Sequence, residues 1–312
     1  MATKLGYLLP TREQIMEGRP AAAPLLALAA RAEAEGFDSI WVGDSLLARP
    51  RHEPLTLLAG VAGRVPRVEI GTAVLLPALR NPVVLAHLVA TLDQVSEGRL
   101  ILGVGFAADV ANIRAEFAAA GVPFDKRIGR MMEGLRLCRA LWTGQPVDWD
   151  GRWPVHQGVL APTPYRPGGP PLWIGGNLQT SLERAGKFFD GWFPIAPAPD
   201  AFANGLAQVR DIAKSAGRDP AAVAGAMYVT LALDEDAGKA ETRLNAFLER
   251  YYSQPAATLR RRQASYAGPA AGLAAWLDAY AKAGASHIVA RFAGEHETHL
   301  TAVARVRATL GW

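Results

Sequence analysis

Short, continuously apolar runs alternate along this chain with longer stretches whose apolar positions recur every three or four residues. The first pattern belongs to strands buried on both faces, the second to helices with one buried stripe. Strands are predicted over Lys4–Leu9, Asp38–Val42, Val68–Leu75, Arg99–Val104, Pro171–Ile174, Gly191–Ile195, Ala226–Leu233 and His287–Phe292. Helices are predicted over Ala21–Glu35, Pro54–Val65, Pro82–Val95 and about Glu295–Leu310. The punctuation agrees. Asn81-Pro82 supplies an N-cap and a first-turn proline, Gly98 ends that helix, and Gly36, Gly121 and Gly217 follow other helical runs.

Eight strands alternating with helices predict an α/β fold, a (β/α)8 TIM barrel, in a single domain of residues 1–312. A doubly wound open sheet is the structural alternative, but it usually carries a glycine-rich turn after its first strand, and Leu9-Pro10-Thr11-Arg12 is not one. Two segments are too long for simple loops, so insertions are expected after strands 4 and 7. Phe106–Pro170 holds two helical patterns and a strand-like pair around Val147–Val155 that turns at Asp150-Gly151. Asp234–Ser286 holds a helix over Ala237–Arg250, an irregular basic stretch, and a helix over Ala270–Ala283. The irregular stretch, Tyr251–Gly268, reads either as a mobile lid closing over an anionic group or as a solvated basic helix.

Composition narrows the class. Of 312 residues, 50% are hydrophobic and 20% charged, which supports a large core and excludes a disordered chain. No apolar run approaches the length of a membrane span, and Met1–Leu5 lacks the features of an export signal, so a cytoplasmic protein without a membrane partner is expected. The single cysteine, Cys138, excludes an internal disulfide and reads as an inert core residue. Thirty-three cations face 29 anions and are dispersed, apart from Arg260-Arg261-Arg262. That argues against a nucleic-acid partner and suits an anionic small-molecule ligand.

In a barrel, chemistry sits where strands end. The second strand ends at Asp44 and Ser45, which either face the mouth or, for Asp44, tie down the following loop. The third ends in Gly71–Pro77, whose small residues would let a flat ligand lie against the backbone or would simply pack in the barrel. The fourth ends at Gly103-Val104-Gly105. The fifth runs into Gly175-Gly176-Asn177 ahead of a helix, an arrangement that exposes N–H groups to a phosphate, or merely makes a turn. His52, beside Arg49 and Arg51, is the histidine best placed to approach the mouth. His296 and His299 lack zinc-site spacing and read as part of a surface helix; no metal is expected.

Taken in order, these stations resemble the bacterial luciferase-like flavin monooxygenase superfamily, which also includes deazaflavin F420-dependent reductases. The resemblance is carried by Phe37–Ser45, Arg67–Pro82, Ala90–Gly105, Gly121–Phe124, Arg127–Gly144, the hairpin Asp150–Trp153, Pro170–Gly176 and Asp190-Gly191-Trp192. It covers most of residues 1–195, while the C-terminal third matches by pattern only. It implies a barrel with an inserted segment after the fourth strand, and a flavin or F420 ring across the C-terminal mouth. It further implies a non-prolyl cis peptide at Ala73–Val74 against the ring, cofactor phosphate at Gly175–Asn177, and Asp44 near ring or substrate. Gly105 would line the cofactor site. Ser45 stands where many relatives carry histidine, and Ala108 where the sugar-phosphate dehydrogenases carry an acid, so either another residue such as His52 takes that role or no such acid is needed; Asp44, Ser45 and His52 are the candidate catalytic residues.

Two mechanisms follow from the resemblance. In the first, reduced FMN arrives from a separate flavin reductase and reacts with oxygen to oxygenate a small organic substrate. In the second, F420 exchanges hydride with the substrate. A non-catalytic flavin-binding protein is the reading outside the enzyme class, and turnover of any substrate excludes it. A homodimer is expected through helices near Pro54–Val65 and Pro82–Val95, which are apolar around much of their circumference, unless the chain's own loops cover them.

Overall fold

Continuous burial marks the parallel strands expected of a barrel. They are β1 (Lys4–Leu8), β2 (Ser39–Val42), β3 (Glu69–Leu75), β4 (Leu100–Val104), β5 (Leu172–Ile174), β6 (Gly191–Trp192), β7 (Ala224–Leu233) and β8 (His287–Phe292). All of β2, β4, β5, β6 and β8 is buried, as strands walled by helices on one side and a filled interior on the other must be. The computed structural model describes residues 2–196 and 198–312. The fold is the expected (β/α)8 barrel, with its strands in chain order. Among the described residues no helix is long and apolar enough to cross a membrane.

The chain divides into two compact units: Met1–Trp41 with Leu172–Trp312, and Val42–Pro171. In the first, β1 pairs in parallel with β8 and β2, β8 with β7, and β6 with both β7 and β5. Its core includes an aromatic floor. Trp41 and Trp173 stack at 5.5 Å between centroids, and His287 meets both edge-on at 5.5 and 5.3 Å. Ser39 Oγ lies 2.6 Å from His287 Nε2 and accepts from Trp41 Nε1 at 2.7 Å. Gly6 is required here, because a Cβ on it would stand 2.6 Å from both Ser39 Oγ and Trp41 Nε1.

In the second unit β3 pairs with β4, with a register shift between Thr72 and Leu75. Helix Pro82–Val95, capped by Asn81 Oδ1 on Val83 N at 2.9 Å, packs on helix Arg127–Leu141. Trp142 Nε1 donates to Ala86 O at 3.0 Å across that seam. Cys138 lies in the same seam, its thiol pushed up to about 12 by burial, so it is the inert core residue expected. The inserted hairpin is Val147–Trp149 with Val155–Gly158.

Three expectations change. The strand predicted over Gly191–Ile195 is shorter: Pro194 has no N–H to give to a ladder, although its carbonyl still accepts from Tyr228 N at 3.0 Å. Tyr251–Gly268 is not irregular. It contains a short helix, Ala256–Arg260, and a strand, Ser265–Gly268, that pairs in parallel with the end of β7. Arg260 there pairs with Glu241. Finally, helix Pro54–Arg64 buries its apolar residues within the chain itself, Leu55, Leu57, Leu58 and Val61 among them, whereas helix Pro82–Val95 leaves Val84, Leu88 and Val95 exposed.

Candidate functional site

In the unit Val42–Pro171, the loop after β2 is organised by two buried carboxylates. Asp44, with its side chain 1% exposed, accepts from Leu76 N at 2.8 Å and from both terminal nitrogens of Arg80, at 2.5 and 3.2 Å. Arg80 also reaches Glu53 at 3.0 Å, and Glu53 caps helix Pro54–Arg64 through Thr56 N at 2.7 Å. Burial alone would lower the Arg80 guanidinium; Asp44 and Glu53 outweigh it and hold its pKa above the ordinary value. Asp44 therefore joins the ends of β2 and β3, which is the loop-tying role of the two considered for it.

Ser45 donates from Oγ to Glu116 at 3.0 Å and accepts from Arg49 N at 2.9 Å. Glu116 also accepts from Leu46 N and, at 3.1 Å, from Leu47 N. The Ser45 hydroxyl and the Glu116 carboxylate are thus both engaged in holding a loop. His52 is half-buried in the same loop, two residues before helix Pro54–Arg64 begins. Arg51 lies over Gly43, where a Cβ would collide with its Nη1.

The Ala73–Val74 peptide at the end of β3 is cis, as the resemblance implies. Its neighbour across the ladder is Gly105, whose N–H donates to Leu75 O at 2.9 Å. A Cβ on Gly105 would sit 2.7 Å from Val74 Cγ2, so this position accepts no side chain without displacing Val74. Gly105 is thus buried under Val74, while Ala73 and Val74 are half-buried at the end of β3.

In the other unit, β5 ends in Gly175, Gly176 and Asn177. Gly176 has φ of +111°, a conformation open to glycine, and its carbonyl accepts from Trp192 Nε1 at 2.8 Å. Helix Gln179–Phe188 follows, with Leu178 at its N-cap and no side chain capping it; Ser181 N already donates to Leu178 O at 2.7 Å, so an external acceptor would have to use the N–H groups ahead of Ser181. Gly175 and Gly176 are half-buried and Asn177 is exposed.

The histidines near the end of β8 differ from the surface helix predicted. His296 Nδ1 lies 2.7 Å from Tyr7 OH, and burial pushes its pKa down to about 3. His299 is buried, accepting from Leu233 N at 3.0 Å, and burial lowers it as well. His299 packs against the end of β7, while His296 meets Tyr7 of β1 and remains half-buried, lining a cavity of about 870 Å³. Among the described residues no group of three metal-ligating side chains gathers.

Sequence reasoning missed Glu116, Arg80 and Arg291. Arg291 is 1% exposed, donates to Tyr252 OH at 2.9 Å, Thr230 Oγ1 at 2.8 Å and Gln263 Oε1 at 3.0 Å, and lies over the rings of Tyr228, Phe247, Tyr251 and Tyr252. A charged residue inside an otherwise apolar strand, His287–Phe292, was the available signal.

Residues 3–311 match the family model of the luciferase-like monooxygenases. Among curated proteins, the chain is similar to a 5,10-methylenetetrahydromethanopterin reductase of Methanolobus tindarius, 32% identical over 211 residues, which cover 68% of this chain and 62% of that protein. The chain thus matches less than two thirds of that relative's length. Among solved structures it is similar to an F420-dependent secondary alcohol dehydrogenase in complex with an F420-acetone adduct (TM-score 0.84, 22% identity, 99% of each chain). It is also similar to a monooxygenase of Streptomyces bottropensis (TM-score 0.80, 23% identity, 98% of this chain and 97% of that one).

Proposed function

We propose, since the chain belongs to the luciferase-like monooxygenase family, that it is an oxidoreductase that uses F420 or reduced FMN on a small organic substrate. The observation that carries this reading is the turn Gly175–Asn177, in which a half-buried glycine at φ +111° leads into a helix whose N-terminus no side chain caps. Such a turn suits the phosphate that both cofactors carry. Gly175, Gly176 and Asn177 are its proposed contacts. Ala73, Val74 and Gly105, at the ends of β3 and β4, are the proposed contacts of the ring.

When bound, the cofactor supplies the hydride, or together with oxygen the oxygen atom, that the substrate receives. The chain's own residues do the rest. Asp44 and Ser45 act as positioning residues, fixing the loop after β2 against Leu76, Arg80 and Glu116. His52, on that loop, is the proposed carrier of a proton.

F420-dependent hydride transfer is placed first. It is supported by the reductase name of the curated relative at 32% identity, and agrees with the F420 dependence of the structurally similar alcohol dehydrogenase. Oxygenation with reduced FMN from a separate flavin reductase is the second reading, favoured by the monooxygenase structure. We further read the chain as a cytoplasmic homodimer joined through helix Pro82–Val95, whose Val84, Leu88 and Val95 are exposed.

Fluorescence titration of the purified protein with F420, FMN and anaerobically reduced FMN tests the core of this reading. Saturable binding of at least one is expected, weakened at least tenfold by Gly176→Val. Absence of binding to all three, or unchanged affinity in Gly176→Val, refutes it.

A further inference from the structure

The loop after β2 presents two neighbouring leucines to water, Leu46 at 42% and Leu47 at 64% exposure. Exposed adjacent leucines are unfavourable, and a free loop would fold at least one under. Here the backbone N–H groups of both leucines donate to a single carboxylate. Glu116 is 2% exposed and accepts from Leu46 N, from Leu47 N at 3.1 Å and from Ser45 Oγ at 3.0 Å. Burying that carboxylate is itself costly unless its lone pairs are filled, and the donors named here all come from this one loop. Two unfavourable terms thus combine to hold a pair of apolar side chains outward.

The location indicates what they contact. Leu46 follows directly on Asp44 and Ser45, and Asp44 binds Leu76 N just beyond the Ala73–Val74 peptide. The leucines therefore stand at the strand-end rim where barrel enzymes bind substrate. We propose that Glu116 is a positioning residue that holds Leu46 and Leu47 as an apolar contact for the substrate, and that the substrate carries a hydrocarbon segment. This rests on the oxidoreductase reading for its site, and it names the substrate class.

The test uses the full chain and a series of straight-chain 2-ketones from 2-butanone to 2-decanone, with binding read from tryptophan fluorescence. Each added methylene that reaches the leucines should tighten binding about fourfold. In L46S/L47S this gain per methylene should fall below about twofold, while affinity for F420 or FMN stays within about twofold of the parent's. E116A, which removes the acceptor shared by Leu46 N, Leu47 N and Ser45 Oγ, should flatten the series in the same way, and E116Q, which keeps an amide oxygen there, should retain most of the slope. Ser45→Thr, which keeps a hydroxyl for Glu116, should retain the full slope. An absence of chain-length dependence in the parent chain overturns the proposal, as does an unchanged slope in L46S/L47S. If L46S/L47S keeps the slope but halves the mass seen by light scattering, the leucines belong to a contact between two copies and the proposal is again overturned. A parent chain that binds neither cofactor refutes the oxidoreductase reading and with it the assignment of the leucines to a substrate, whereas cofactor binding without the slope overturns this proposal alone.

Discussion

His287 and His296 should make this protein acid-labile well above the range where carboxylates titrate. His287 sits in the aromatic floor beside Ser39, Trp41 and Trp173; His296 sits against Tyr7 OH at 2.7 Å. Burial pushes each down to about 3. A histidine depressed in this way is neutral in both states above its unfolded pKa near 6.5, so its contribution to stability is complete there. As pH falls from about 6.5 toward about 3, the unfolded chain takes up the proton and the folded chain does not, and that contribution is lost. At about pH 5 the difference is about 2 kcal/mol per histidine, or about 4 kcal/mol for the pair. Urea unfolding followed by tryptophan fluorescence and circular dichroism, at about pH 7.5 and about pH 5, measures it. The variants His287→Gln and His296→Asn keep an acceptor near Ser39 and Tyr7 without an ionisable ring, and each should remove about 2 kcal/mol of the pH difference. The reasoning fails if the parent chain loses less than about 1 kcal/mol between the two conditions, or if the double variant loses as much as the parent.

Asp44→Ala leaves Arg80 and Leu76 N without their buried acceptor and should destabilise by about 3–5 kcal/mol, read by urea midpoint; a loss under about 1 kcal/mol would show that Asp44 does not tie the strand ends together. Val84→Asp combined with Leu88→Asp should convert a dimer to a monomer in light scattering at micromolar concentration, and a mass unaffected by the pair of charges rejects helix Pro82–Val95 as the interface. The chain is expected to unfold as one domain, with fluorescence and circular dichroism transitions that coincide; two separated transitions would divide it instead.

Periodicity and turn residues carried most of the fold into the sequence. Helix Pro82–Val95 and strand His287–Phe292 have the predicted ends, because Asn81-Pro82 caps the one and a run of apolar residues delimits the other. Two glycines singled out in the sequence have a structural reason to be glycine: Gly176 through its positive φ and Gly105 through the Val74 side chain packed on it. The side chains that organise the loops were not legible. Ser45 and Glu116 are 71 residues apart and Asp44 and Arg80 are 36 apart, and no local period links them. His296 and His299 were misread because a three-residue spacing places them on one helix face without saying what that face packs against. Tyr251–Gly268 looked irregular because a five-residue helix and a four-residue strand are too short to show a period.

Loops at the strand ends of barrels are often treated as exchangeable modules in enzyme engineering. The Arg80 guanidinium makes that untrue for part of this rim. It binds Asp44 at the start of one loop, Glu53 at that loop's far end, and it sits itself in the loop after β3. A graft that replaces residues 44–53 from another barrel would strand Arg80 among desolvated groups, and a graft of the β3 loop would strand Asp44. These two loops form one heritable unit, to be transplanted with Asp44, Glu53 and Arg80 together, and with Glu116 brought along for the leucines between them.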